Sequence, residues 1–169
     1  MRVLWFERNE AGFWSPGDWD RTAVAMTSTH DLPTVAGWWS GGDIAVRAAT
    51  GRLCAGVTED QVVRERATER PELWTALREA GAASGDPPAT EQTDPVVDAA
   101  LEFVAHTRSP LCLLPIEDVL GVRDQPNLPG TIDEHPNWRR RLPRPASTLL
   151  DEPRVAARLQ RLAQKRPRQ

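Results

Sequence analysis

The sequence predicts an α/β protein built on a parallel sheet, and three observations carry that expectation. Short apolar runs rich in β-branched and aromatic residues alternate with segments of helical periodicity. Each run reads as a strand buried on both faces, as in a parallel sheet covered by helices. The second run halts at Met26-Thr-Ser-Thr-His-Asp31, polar residues that stand where the carboxyl end of a buried strand delivers side chains into a site. Three parallel strands alone would leave two long apolar edges, so the layout is that of part of a larger sheet or barrel.

Arg2 to Phe6 is the first strand. Arg8 to Trp19, with Gly12, Pro16 and Gly17, reads as a long loop, and loops of that length are often functional. Thr22 to Thr27 is the second strand. Leu32 to Trp39 begins a helix, with Thr29 and Asp31 available as caps ahead of Leu32-Pro33, and Gly41-Gly42 breaks it before a further helical piece to about Thr50. Thr58 to Gly81 is helical: Thr58 and Gln61 form a capping box, and Pro71 stops or kinks the segment. Ala82 to Thr93, rich in Ala, Gly, Ser and Pro, reads as a linker or mobile loop. Asp94-Pro95 opens the next helix, which sets Val97, Leu101 and Val104 on one face. Leu111 to Leu114 is the third strand, Ile116 to Leu120 a short helix, and Gly121 to Asn137 a polar loop. From Asp151 to the end runs a basic amphipathic helix with Val155, Leu159 and Leu162 as its stripe.

Composition narrows the function classes. At 169 residues with net charge -3, the chain suits one domain or a piece of one, and nothing in its balance calls for nucleic acid or an anionic membrane. The arginines of the tail lack aromatic interleaving and read as a solvated face. No apolar run reaches the roughly 18 residues of a membrane span, and the N-terminus lacks a signal-peptide pattern, so a cytoplasmic protein is expected. Cys54 and Cys112 stand apart and read as small buried hydrophobes, and the three scattered histidines argue against zinc. Most of the seven tryptophans read as core.

Four blocks resemble consecutive segments of the 4-α-glucanotransferases, or amylomaltases: Arg2-Val-Leu-Trp-Phe-Glu-Arg8, Thr27 to Trp39, Leu111 to Gly121, and Asn127-Leu-Pro-Gly-Thr131 continuing through His135-Pro-Asn-Trp-Arg-Arg-Arg-Leu-Pro143. They occur in family order over most of the chain. The resemblance implies the C-terminal part, about three strands with their helices, of a (β/α)8 TIM-type barrel. It implies enzymes that cut an α-1,4-glucan and pass the released segment to another glucan's 4-hydroxyl, with no cofactor. Their mechanism is retaining, with two carboxyl groups about 5–5.5 Å apart. A third carboxylate favours the oxocarbenium-like transition state.

By position in these blocks, Asp31 corresponds to that third carboxylate, His30 to a histidine that hydrogen-bonds sugar hydroxyls, and Asn127 to a substrate-contacting asparagine. Trp138 with Arg139 to Arg141 reads as packing and ion pairing. Glu117 and Asp118 read as acids favoured at a helix start by its dipole. The family's nucleophilic Asp and acid/base Glu belong to earlier strands, upstream of the block that begins here at Met1-Arg2-Val3. Glu7, Asp18 and Asp20 match no catalytic motif and read as solvated loop charges. The chain is therefore expected to act on maltodextrin only with the remainder of the barrel as partner. A non-catalytic glucan-binding or regulatory remnant, and a helical interaction module, are the alternatives.

Overall fold

The computed structural model describes residues 1–166. Its main sheet has the order β1–β4–β5, all parallel, from β1 (Arg2–Val3), β4 (Val24–Met26) and β5 (Leu111–Leu113). Register pairs Val3 with Met26 and Met26 with Leu113, so the carboxyl ends of the three strands lie side by side. β4, the strand that leads into Thr27 to Asp31, is central.

Each strand is shorter than its apolar run. Leu4–Phe6 coils into a 3₁₀ turn, yet Leu4 stays fully buried. The apolar run thus encodes burial, which a turn satisfies as well as an extended strand does. Nor is β5 buried on both faces. Leu111 and Leu113 are each 49% exposed, while Cys112 between them packs toward the helices. Helices cover one face of this strand only.

The expected loop from Arg8 to Trp19 contains a hairpin, β2 (Arg8–Asn9) and β3 (Gly12–Phe13), and a 3₁₀ turn at Pro16–Asp18. Asn9 accepts the Ala11 N–H within the turn, and Gly12 takes φ +115, which a side chain would forbid. Glu7 is not solvated. It is 4% exposed, and its Oε2 has no hydrogen-bond partner among the described residues.

The helices supply the core. α1 (Val35–Ser40) starts at Val35, later than expected, because Thr34 rather than Thr29 or Asp31 caps it through the Gly37 N–H. Gly41, in the left-handed conformation, ends α1 and opens α2 (Gly42–Ala49). α3 (Glu59–Glu79) begins with the expected Thr58–Gln61 capping box and continues through Pro71. Its C-terminal half buries Leu73, Trp74 and Leu77 against α1 and α4 (Asp94–Ala105), which contributes Val97, Leu101 and Val104. Packing of that half offsets the hydrogen bond that Pro71 cannot donate. Segment 82–93 is tethered where the Trp74 and Trp39 indoles donate to the Gly85 and Ala89 carbonyls.

Four of the tryptophans (Trp19, Trp38, Trp39 and Trp74) are buried, and Trp5 stacks on Trp38. Trp138 is 65% exposed, so it does not pack in the core as expected. Cys54 is exposed rather than a buried hydrophobe.

After α5 (Ile116–Leu120) and the loop that follows it, α6 (Pro153–Lys165) docks on α4 and α5. Residues 167–169 of the expected tail helix lie outside the described residues. The basic face of α6 is not a free solvated surface. Arg154, Arg158, Arg161 and Lys165 pair with Asp94, Asp98 and Glu102, an acidic column at four-residue spacing on α4. No helix among the described residues is long and apolar enough to cross a membrane.

Candidate functional site

Beyond the end of β4 the chain makes a tight loop before α1. Leu32 N–H donates to the Thr29 carbonyl, and the Ser28 hydroxyl donates to the Pro33 carbonyl across the loop at 2.7 Å. The Trp5 indole N–H reaches the same carbonyl from beside β1. His30 and Asp31 stand at the crest, with side chains 55% and 46% exposed.

The second loop, Gly121 to Asn137, meets the first at its tip. The Asn127 N–H donates to the His30 carbonyl at 3.2 Å, and its side-chain Nδ2 donates to Asp31 Oδ1 at 2.6 Å. His30 Nε2 lies 3.2 Å from Asp31 Oδ2. The three residues expected to form the site, with Asn127 lying 96 positions beyond Asp31, therefore form one hydrogen-bonded cluster. His30 and Asp31 line a cleft of about 610 Å³ together with Met26, Leu114, Glu117 and Trp138.

The first loop is held from below by Asp118. This residue is fully buried, where its sequence reads as an acid favoured at a helix start by its dipole. Thr27 Oγ1 donates to its Oδ2 at 2.5 Å, and the Val35 N–H donates to Oδ1 at 2.7 Å. One carboxylate therefore clamps the last residue before the His30–Asp31 loop to the first residue of α1. Burial pushes its pKa up to about 6, the Thr27 and Val35 bonds oppose the rise, and neighbouring Glu117 adds to it. The sequence cue is slight: an acid directly before Val119-Leu120 on the apolar side of a one-turn helix. A further bond joins the Thr34 hydroxyl to the Arg123 carbonyl. At Gly37 a Cβ would lie 2.4 Å from that carbonyl oxygen, so glycine is what permits α1 and the second loop to approach.

The second loop is internally braced. Asn137 accepts the Leu128 N–H and donates to Thr131, and the buried His135 ring nitrogen contacts the Gln125 carbonyl at 3.1 Å. Trp138 follows with φ +59, a left-handed conformation costing a non-glycine residue about 1–2 kcal/mol. Its ring sits 5.1 Å from that of His30. Arg139 and Arg140 make the expected ion pairs, with Asp133 and Asp124. Among the described residues no His, Cys, Asp and Glu gather in a group able to hold a metal ion.

The family model for 4-alpha-glucanotransferase, glycoside hydrolase family 77, matches residues 1–147. The chain belongs to the 4-alpha-glucanotransferase family.

The 4-alpha-glucanotransferase of Mycobacterium tuberculosis is 34% identical over 143 residues, which are 81% of this chain and 19% of that protein. That of Haemophilus influenzae is 26% identical over 151 residues, 87% of this chain and 22% of its own length. The crystal structure of amylomaltase from Corynebacterium glutamicum superimposes with a TM-score of 0.78 at 25% identity, covering 92% of this chain and 24% of the amylomaltase. The chain thus spans about a fifth of the curated relatives it matches, as a partial α/β copy of a 4-alpha-glucanotransferase. His30, Asp31, Asn127, Asp118 and Trp138 all fall within the segment matched by the 4-alpha-glucanotransferase model, and α6 follows it.

Proposed function

We propose that the chain supplies about the last three strands of a (β/α)8 barrel, and with them one wall of the glucan site of a 4-alpha-glucanotransferase. The reaction moves a segment of a 1,4-α-D-glucan to the 4-hydroxyl of another glucan or of glucose. One carboxylate attacks the anomeric carbon as a second carboxyl group protonates the departing oxygen. The acceptor hydroxyl then displaces the enzyme, giving its proton back to that second group, and configuration is retained. Those two groups stand on polypeptide outside residues 1–169, so the isolated chain is inactive. No cofactor takes part.

Asp31 is the third carboxylate. Each of its oxygens has two lone pairs, and Asn127 uses one of them. Capacity remains to accept sugar hydroxyls and to stabilise positive charge growing on the pyranose ring. His30, also exposed beside it, hydrogen-bonds the same sugar. The observation that carries this reading is the cluster itself: an exposed carboxylate at a strand end, fixed in direction by Asn127 and His30, over a cleft large enough for a sugar.

In a complete enzyme carrying this segment, Asp31→Ala is expected to slow maltotriose disproportionation about a hundred- to thousand-fold, the weight of about 3–4 kcal/mol of transition-state stabilisation, with little change in affinity. Near-wild-type turnover would remove Asp31 from the mechanism. One observation favours a glucan-binding remnant instead: the acids lining the cleft among the described residues are Asp31 and Glu117. Incubating the purified chain with maltotriose separates the readings. Longer and shorter maltodextrins on chromatography contradict an inert remnant, while calorimetric binding without products supports it.

A further inference from the structure

We propose that Trp138 is a stacking platform that carries a bound glucan out of the Asp31 cleft and into a second cleft beyond it, so that this wall of the site selects long maltodextrins over short ones. The inference rests on the glucan-site reading above and adds to it a residue and a direction. Trp138 presents a large apolar ring to solvent, 65% exposed, where a buried indole would stabilise the fold far more. Its backbone is held left-handed at φ +59, and its N–H donates to the Pro126 carbonyl at 3.0 Å. A bulky residue kept in that conformation, unburied within this segment, is an outlier of the kind that clusters at ligand sites.

The position of the ring gives that function its content. On one side it lies 5.1 Å from the His30 ring, inclined by 46°, and borders the cleft that holds Asp31. On the other it borders a cleft of about 370 Å³ whose wall includes Glu117, Asp124, Arg140 and Arg141. Trp138, Glu117 and Pro126 are common to both clefts. A pyranose ring has an apolar face of C–H groups and a rim of hydroxyls. The indole suits the face, and charged groups on either side suit the rim, since carboxylates accept from hydroxyls and guanidinium groups donate to them. The Arg140–Asp124 pair, at 3.1 Å, holds one such donor in place. A glucan crossing Trp138 therefore passes from one polar cleft to the next over a single apolar step. A chain too short to cover that step gains nothing from it.

Calorimetric titration of the whole chain with maltotriose and with maltoheptaose tests this. Wild type is expected to bind maltoheptaose more tightly. Trp138→Ala should weaken maltoheptaose binding up to about tenfold. It should leave maltotriose little affected and erase the preference for length, whereas Trp138→Phe should retain much of it. Because the side chain is exposed, the melting temperature of Trp138→Ala should stay close to that of wild type, which separates lost stacking from lost folding. If Trp138→Ala keeps wild-type affinity for maltoheptaose while His30→Ala loses it, the platform is wrong and the glucan-site reading stands. If wild type binds neither sugar, both are overturned.

Discussion

Asp118 illustrates how a buried acid can serve an exposed one. Its two hydrogen bonds fix Thr27 and Val35, between which His30 and Asp31 are suspended. Burial makes the proton harder to remove in the folded chain, where the pKa is about 6, than in the unfolded chain, where 3.8 applies. The folded state then binds more protons than the unfolded one between those values. Asp118's contribution to stability is fully present below pH 3.8, declines as pH rises to about 6 and is absent above, a change of about 3 kcal/mol. Asp118→Asn has no proton to lose and can still accept from Val35 and donate to Thr27. Its unfolding free energy relative to wild type should therefore rise by about 3 kcal/mol across that window in urea titrations. A flat difference would contradict the proton linkage. Asp118→Ala strands a buried N–H and a hydroxyl and should cost about 1–3 kcal/mol for each below pH 3.8, a cost that the same linkage reduces as pH rises. The strand end marked His30 and Asp31 locally, whereas Asn127 came into view only through the family resemblance of its block. Asp118 was marked by neither, since its role comes from partners 91 and 83 residues away.

Helices α3 and α4 stand where their local signals, the capping box and the Asp94-Pro95 start, place them, whereas α1 starts later than its cap candidates suggested. Strand lengths were overestimated because an apolar run reports burial and not backbone extension, as Leu4 shows. The face of α6 was misread for a related reason: basic residues look solvated until the matching acids on α4 come into register. The energetics of this pairing differ along the helix. Arg158 is 1% exposed, bonded to Asp98 and to the Val119 carbonyl at 2.6 Å, whereas Arg161 is half exposed. Removing Asp98 leaves the buried guanidinium with only the longer Asp94 contact at 3.5 Å as its ion pair, so Asp98→Ala should lower the unfolding free energy by about 3 kcal/mol. Arg161→Ala, which removes an exposed pair, should cost below about 1 kcal/mol and matter less as salt is added. Equal, small losses in denaturant titrations would show that water, not Asp98, balances Arg158.

At the scale of the whole chain the decisive feature is the sheet β1–β4–β5, whose outer strands have no neighbour on their far sides among the described residues. Leu111, Leu113 and Phe6, at 63% exposure, surround this open region. Alternation of strands and helices made the parallel sheet legible, and a count of three strands made its openness legible too. One-sided cover of β5 was not, because continuous hydrophobicity is the same for a strand buried by helices and for one awaiting another layer. Exposed edges invite pairing with other chains. Sedimentation velocity of the purified chain should accordingly reveal self-association that grows with concentration. A monodisperse, cooperatively melting monomer would contradict it.

The two borders of that sheet are different strands running in the same direction. A copy that docks its β5 alongside another's β1 satisfies one border and presents a fresh one, so each addition recreates the vacancy it fills. Such head-to-tail growth stops only when the ends meet in a ring. The species to look for is thus a ladder of sizes, or a closed circlet, rather than a symmetric pair.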